Sequence, residues 1–148
     1  MAERTESTTQ IDAPAAQVLA VIADFESYPQ WTGAVKQAQV RSKGPGGRAA
    51  RVAFVLDAGA IKDSYELDYT WDVAADSTGV VSWTMPAPGK LVKALDGSYA
   101  LAAVDGGTRV TYTLTVDVTI PMLGMLKRKA EKSIIETALT ELKKRVEG

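Results

Sequence analysis

Hydroxyl-bearing aromatic side chains are the groups of this sequence most able to act together chemically. Tyr65 and Tyr69 recur on one parity of an alternating segment. Tyr99 and Tyr112 hold similar positions in two later segments. Alternate residues of a strand face the same side of a sheet, so we expect these four hydroxyls on one inner surface. A buried hydroxyl needs a hydrogen-bond partner, which a wet or ligand-filled cavity supplies. The pattern favours a cavity, although a solid core uses the same residue types.

The commonest catalytic groups are missing from the sequence. The chain has no His and no Cys, which removes the usual general base, the usual serine-hydrolase partner, thiolate nucleophiles and the usual zinc ligands. The glycine cluster at residues 44–47 lacks the Lys and Ser/Thr of a phosphate-binding loop. We therefore predict no catalytic residue, no metal site and no cofactor.

The remaining charged side chains are expected at the surface. Four acidic residues of one strand are interpreted as its solvent-facing side: Asp63, Glu66, Asp68 and Asp72. Arg51 and Lys127 are candidates for contacting a polar ligand group, although long basic side chains more often extend to solvent. Basic residues near the C-terminus are interleaved with glutamates, which is typical of a solvated helix face: Glu131, Glu136, Glu141 and Glu147.

Composition limits the class of protein. The 148 residues, 46% of them hydrophobic, are enough for one domain with a core, which we expect to span residues 1–148. A net charge of −1 provides no general attraction to nucleic acid. The sequence lacks a signal-peptide core and any run near the roughly 18 apolar residues that span a bilayer. We expect a cytoplasmic monomer or weak homodimer that does not bind nucleic acid or insert stably into membranes.

The first part of the chain predicts a strand, a helix and an aromatic elbow. Residues 6–11 alternate weakly and can form an edge strand, and a short helix follows Pro14. The elbow, residues 24–31, contains Pro29 between Tyr28 and Trp31. Because Pro29 lacks an N–H and restricts Tyr28, this segment can neither extend a helix nor join a central strand.

The rest of the chain predicts about six strands and a long final helix. Alternating segments with short connections, including the turn at residues 105–107, indicate antiparallel pairing. Residues 121–146 are predicted to form the helix, and its apolar stripe drifts by roughly a third of a turn. Its first half presents Leu123, Leu126, Ala130 and Ile134, and its second half presents Ile135, Leu139, Leu142 and Val146. Such drift suits a helix that crosses a twisted sheet, in an α+β fold.

Three stretches also resemble a known superfamily. They are IDAP at residues 11–14, followed by Val18 and Ile22, DFESYPQW at residues 24–31, and GGTRVTY at residues 106–112. This chain resembles the polyketide cyclase/dehydrase-like group of the START-like (SRPBCC) superfamily, which includes birch-pollen-allergen-like proteins and relatives of coenzyme Q-binding proteins. The resemblance implies a helix-grip fold. In that fold a curved antiparallel sheet of six to seven strands wraps around the C-terminal helix, and two short helices follow strand 1.

The resemblance also implies a cavity for a small hydrophobic ligand, such as a lipid, polyketide or quinone. Together with the alternation of the strands, the resemblance predicts which residues line this cavity. They are Phe54, Leu56, Tyr65, Leu67, Tyr69, Trp71, Val81, Trp83, Tyr99, Leu101, Tyr112, Leu114, Met122, Leu126, Ala130 and Ile134. Binding or transport is the leading hypothesis. An aromatase/cyclase is the first alternative, with tyrosines or Arg51 positioning carbonyls. A protein-interaction module is the second alternative.

Overall fold

The computed structural model describes residues 5–57, 62–118 and 124–148, with the side chains of residues 124–128 and 130 excepted. The chain begins with β1 (Thr5–Ile11), α1 (Ala15–Ala23) and a 3₁₀ helix (Phe25–Gln30). It continues through β2 (Val35–Lys43), a 3₁₀ turn (Pro45–Gly47), β3 (Ala49–Asp57), β4 (Lys62–Val73), β5 (Gly79–Thr84), β6 (Val92–Val104) and β7 (Gly107–Val118), and ends in α2 (Gly124–Glu147). The predicted α+β helix-grip fold is confirmed.

The seven described strands form one antiparallel sheet in the order β1-β7-β6-β5-β4-β3-β2. The predicted hairpin at residues 105–107 is confirmed, because β6 and β7 pair directly on either side of a two-residue connection. The predicted edge position of β1 is also confirmed. Every strand is therefore next to its sequence neighbour except β1, which crosses to pair with β7.

α2 lies over one side of the sheet and packs mainly on β1, β7 and α1. The buried apolar side chains of its described part are Ile135, Leu139, Leu142 and Val146, the predicted second half of the stripe. The end of α2 is tied to the β1–α1 corner by polar contacts. Lys143 Nζ donates to the Gln10 carbonyl at 2.7 Å, and the Asp12 N–H donates to Glu147 Oε2 at 2.8 Å. The first half of the predicted stripe, apart from Ile134, lies outside the described side chains.

Glu131 corrects the interpretation of the helix surface. Only 1% of this residue is exposed, although the charge pattern placed it on a solvated face. Its carboxylate accepts hydrogen bonds from Thr5 Oγ1 at 2.9 Å and from the Val116 N–H at 2.7 Å. Glu131 precedes Ile135 by one turn and so continues the buried stripe. It joins α2 to both β1 and β7.

Asp63 corrects the interpretation of β4. It is an odd-numbered residue like Tyr65, so it shares the inward parity, and it is 9% exposed. Its carboxylate accepts backbone N–H hydrogen bonds at 2.8–3.2 Å from Ser64, Lys90, Leu91 and Val92. Gly89 permits this packing, since a Cβ there would lie 2.4 Å from Asp63 Oδ2. Asp63 therefore orders the connection before β6.

Arg51 and Asp68 form an ion pair on the convex face of the sheet. Arg51 Nε lies 2.6 Å from Asp68 Oδ1, and Arg51 Nη2 lies 3.1 Å from Asp68 Oδ2. The two residues are opposite each other in the β3–β4 register. Arg51 is therefore directed away from the concave face, and its suggested role in positioning a ligand carbonyl was wrong. Lys127 lies outside the described side chains.

We predict that Glu131→Ala lowers the free energy of unfolding by about 1–3 kcal/mol, because it leaves the buried Val116 N–H and the partly buried Thr5 hydroxyl without this acceptor. Glu136→Ala is the matched control, since it makes the same change at an exposed site on the same helix. It should change stability by no more than about 0.5 kcal/mol. Urea denaturation measures both values. Equal losses in the two variants would contradict the role of Glu131.

We also predict that Asp63→Asn destabilises the protein in a pH-dependent way. Burial alone would raise the pKa of Asp63, but hydrogen bonds from four backbone N–H groups outweigh burial and lower this pKa. A lowered folded pKa gives stability that is present above the unfolded pKa of about 3.9 and is lost as pH falls through the folded value.

The loss caused by Asp63→Asn should therefore be about 1.5–3 kcal/mol at neutral pH and shrink below a pH of about 4. Denaturation of both proteins between pH 3 and pH 7 measures this difference. Asp72→Asn, at an exposed position of the same strand, is the control. A loss that stays constant over the whole pH range would rule out the proposed charge on Asp63.

Candidate functional site

A cavity of about 310 Å³ lies between the concave face of the sheet and α2. This volume is at the lower end of the range for small-molecule sites, about 300–1,000 Å³. The described wall consists of Tyr28, Trp31, Thr32, Ala34, Val35, Phe54, Leu56, Tyr65, Leu67, Tyr69, Trp83, Leu95, Tyr99, Tyr112, Val116, Ser133, Ile134, Thr137, Ala138 and Glu141. The wall is mainly apolar, with a few polar groups between the rings.

Most of the residues expected at the cavity from the sequence lie together on this wall. They are Phe54, Leu56, Tyr65, Leu67, Tyr69, Trp83, Tyr99, Tyr112 and Ile134. Met122 lies outside the described residues, and Leu126 and Ala130 lie outside the described side chains. The alternation of side chains along β3–β7 is therefore the sequence feature that predicts which residues of the sheet line the cavity.

Four expected residues lie on the same face of the sheet but away from the cavity. Val81, Leu101 and Leu114 are at most 3% exposed and belong to the packed core. Trp71 lies beyond Tyr69 on β4, where its Nε1 donates to the Ala49 carbonyl at 2.7 Å. The physical reason is that parity assigns a side chain to a face but does not say which part of that face a helix covers.

All ten aromatic residues of the chain form one network of rings. Successive ring centroids lie 4.6–6.3 Å apart, within the usual range for aromatic pairs. Phe25 connects the elbow to the sheet, because its ring contacts Tyr28, Phe54, Tyr69 and Trp71. Trp83 continues the network to Tyr99 and Tyr112. The rings thus line one continuous surface from the elbow to β7.

The elbow contributes wall residues that the site prediction omitted. The 3₁₀ helix brings Tyr28 into the core, where its hydroxyl donates to the Ile22 carbonyl. Trp31 follows directly and packs against Tyr28 with ring centroids 5.0 Å apart. The aromatic residues around Pro29 were the sequence feature from which this contribution to the wall could have been predicted. The structure places Tyr28 and Trp31 on the cavity wall.

Trp83 depends on a glycine in the neighbouring strand. Trp83 is opposite Gly97 in the β5–β6 register. A Cβ on Gly97 would lie 2.7 Å from Trp83 Cζ2 and 2.6 Å from the Thr113 carbonyl oxygen. The missing side chain therefore makes room for the indole ring at the centre of the aromatic surface.

Four tyrosine hydroxyls on the wall make no hydrogen bond to the described parts of the protein: those of Tyr65, Tyr69, Tyr99 and Tyr112. Burial raises the pKa of each, and the nearby Tyr112 raises the pKa of the other three further. The four hydroxyls are therefore protonated near neutral pH and can each donate a hydrogen bond.

The cavity opens between α2 and the segment that follows the elbow. Ser133 and Thr137 are the exposed members of the described wall. Across the opening, the Gly33 N–H donates a long hydrogen bond of 3.4 Å to Glu141 Oε2. Glu141 is also the only charged residue among the described wall residues. The charge pattern of the sequence assigned Glu141 to a solvated helix face, whereas the structure places it at the cavity.

Two other features, a metal site and a membrane-spanning helix, are absent from the described residues. No cluster of acidic residues that could hold a metal ion is found among them. In the same part of the chain, no helix has the length and apolar character needed to cross a membrane.

Comparison with known proteins identifies the family. The model of the polyketide cyclase/dehydrase and lipid transport family matches residues 2–147, so the chain belongs to this family. Among curated proteins, none matches the sequence. Family membership is consistent with an enclosed site for an apolar ligand.

Solved structures show the same fold at low sequence identity. A START superfamily protein from Mycobacterium smegmatis is 19% identical and superposes with a TM-score of 0.87, over 97% of each chain. The ZhuI aromatase/cyclase from Streptomyces sp. R1128 is 16% identical with a TM-score of 0.79, over 99% of this chain and 94% of that one. A STAR-related lipid transfer protein from Xanthomonas axonopodis is 17% identical with a TM-score of 0.77, over 98% and 86%.

The tyrosine hydroxyls give a prediction about stability. Tyr28→Phe should lower the free energy of unfolding by about 1 kcal/mol, because it removes a buried hydrogen bond and leaves the Ile22 carbonyl without this donor. Tyr112→Phe removes an equivalent hydroxyl with no protein partner in the described structure, so it should be neutral or slightly stabilising. Chemical denaturation compares the two. A loss of stability in Tyr112→Phe as large as that in Tyr28→Phe would contradict the assignment.

Proposed function

We propose that this protein binds a small hydrophobic molecule in the cavity between the sheet and α2, as a binding or transport protein. The observation that carries the proposal is an open, mainly apolar cavity in which four tyrosine hydroxyls have no partner among the described residues. In a core that is only structural, such groups are normally paired. A ligand or solvent would provide the partners here.

Two further observations support the proposal. The family to which the chain belongs is described by lipid transport as well as by cyclisation and dehydration. One protein of the same fold is a STAR-related lipid transfer protein. The cavity volume of about 310 Å³ suits a compact molecule of one or two rings better than a complete two-chain lipid.

A polyketide cyclase is the second candidate, because cyclase/dehydrase appears in the family description and ZhuI shares the fold. In this chain the tyrosines are neutral donors rather than bases, since their pKa values are raised. The carboxylate of Glu141 stands at the opening of the cavity. The described wall therefore supports ligand binding more directly than proton abstraction from a buried substrate carbon.

The proposal predicts that filling the cavity abolishes binding. Ala138→Trp places a large ring on α2 at the cavity wall and should weaken binding of the neutral probe 2-isopropylnaphthalene by at least about ten-fold, because the ring occupies the volume that the probe needs. Thr140→Trp introduces the same side chain at an exposed position two residues away and should leave the affinity unchanged. Isothermal titration calorimetry measures both variants. Equal affinity in the two variants would exclude this cavity as the site.

Native mass spectrometry of gently purified protein is the complementary experiment. The wild type should retain a small organic molecule, and Ala138→Trp should retain less of it than Thr140→Trp does. A wild-type protein that neither carries a molecule nor binds the probe would overturn the proposed function.

A further inference from the structure

Several hydrogen-bond donors of the cavity wall lack an acceptor among the described residues. The indole N–H groups of Trp31 and Trp83 are buried without an acceptor among the described residues, and an indole nitrogen can only donate. Each of the four unpaired tyrosine hydroxyls supplies one more donor. The described wall therefore has more hydrogen-bond donors than the protein itself satisfies.

The charge of the wall also favours a neutral ligand over an anionic one. The described wall has no Lys or Arg, and its one charged group is the carboxylate of Glu141. An anionic ligand would lose its hydration on entering the cavity without gaining an opposite charge, and it would pass a negative group at the opening. A neutral acceptor oxygen has no such cost.

We propose that the cavity selects neutral apolar molecules that bear an acceptor oxygen, such as a ketone, and discriminates against carboxylates. The hydroxyls of Tyr65, Tyr69, Tyr99 and Tyr112, which line one cavity, bind the acceptor oxygen, and Glu141 opposes the entry of anions. This inference rests on the proposed binding function and adds the chemical class of the ligand together with the residues that determine it.

Three probes of nearly equal size test the selectivity: 2-isopropylnaphthalene, 2-acetylnaphthalene and 2-naphthoate. They differ in having no acceptor, a neutral acceptor and a charged one. At pH 7 the wild type should bind the ketone at least about ten-fold more tightly than the carboxylate, because the charge is buried without a partner. Equal or tighter binding of 2-naphthoate would overturn the inference.

A quadruple variant tests the role of the tyrosine hydroxyls. In the quadruple variant with Phe at positions 65, 69, 99 and 112, the ratio of ketone affinity to hydrocarbon affinity should fall by about three- to ten-fold, the effect of losing one or two hydrogen bonds. The variant should keep the fold, since these hydroxyls have no partner in the described protein, and circular dichroism checks this. An unchanged ratio would refute the role of the hydroxyls.

Glu141→Gln tests the exclusion of anions. It should raise the ratio of 2-naphthoate affinity to 2-acetylnaphthalene affinity by about three-fold, because it removes a partly exposed negative charge and keeps an acceptor for Gly33. No change in this ratio would refute the role of Glu141.

If none of the three probes binds, the proposed function itself fails. If the hydrocarbon binds but neither ratio responds to the variants, the proposed function stands and only the ligand class is wrong.

Discussion

The placement of α2 over one side of the sheet is the constraint on which the rest of the structure depends. The helix packs mainly on β1, β7 and α1, and its buried stripe runs from Glu131 to Val146. The carboxylate of Glu131 fixes this placement, because it accepts hydrogen bonds from both β1 and β7. Since the helix is held at that edge, the ring-lined centre of the sheet is left facing open space. The cavity is a consequence of where the helix docks.

Polar groups that hold the fold differ from polar groups that face the cavity. Glu131 and Asp63 are buried acceptors, and each is matched to protein donors, most of them backbone N–H groups. The hydroxyls of Tyr65 and Tyr112 belong to the cavity wall and have no described protein partner. A hydroxyl that faces a cavity without a protein partner is available to hydrogen-bond with water or a ligand. This contrast separates the structural residues from the candidate binding residues.

Much of the fold follows from the sequence, because strand alternation and turn residues are local signals. The parity of β4 places Tyr65 and Tyr69 on the concave face, and the turn at residues 105–107 produces a hairpin. The burial of Glu131 could not be predicted from the charge pattern, because it depends on partners elsewhere in the chain. Thr5 lies 126 residues away from Glu131 and Val116 lies 15 residues away. Leu114 and Tyr112 share one parity, yet only Tyr112 reaches the cavity. That difference depends on how far α2 extends over the sheet, which is a tertiary property.

The central claim is that the concave face encloses a binding space rather than a filled core. A high-resolution crystal structure of the protein purified without detergent tests this most directly. We predict electron density for an organic molecule between α2 and the rings of Tyr99 and Tyr112, with an oxygen atom within hydrogen-bond distance of at least one tyrosine hydroxyl. A structure in which α2 side chains fill this space, and the tyrosine hydroxyls bond to protein groups, would contradict the account.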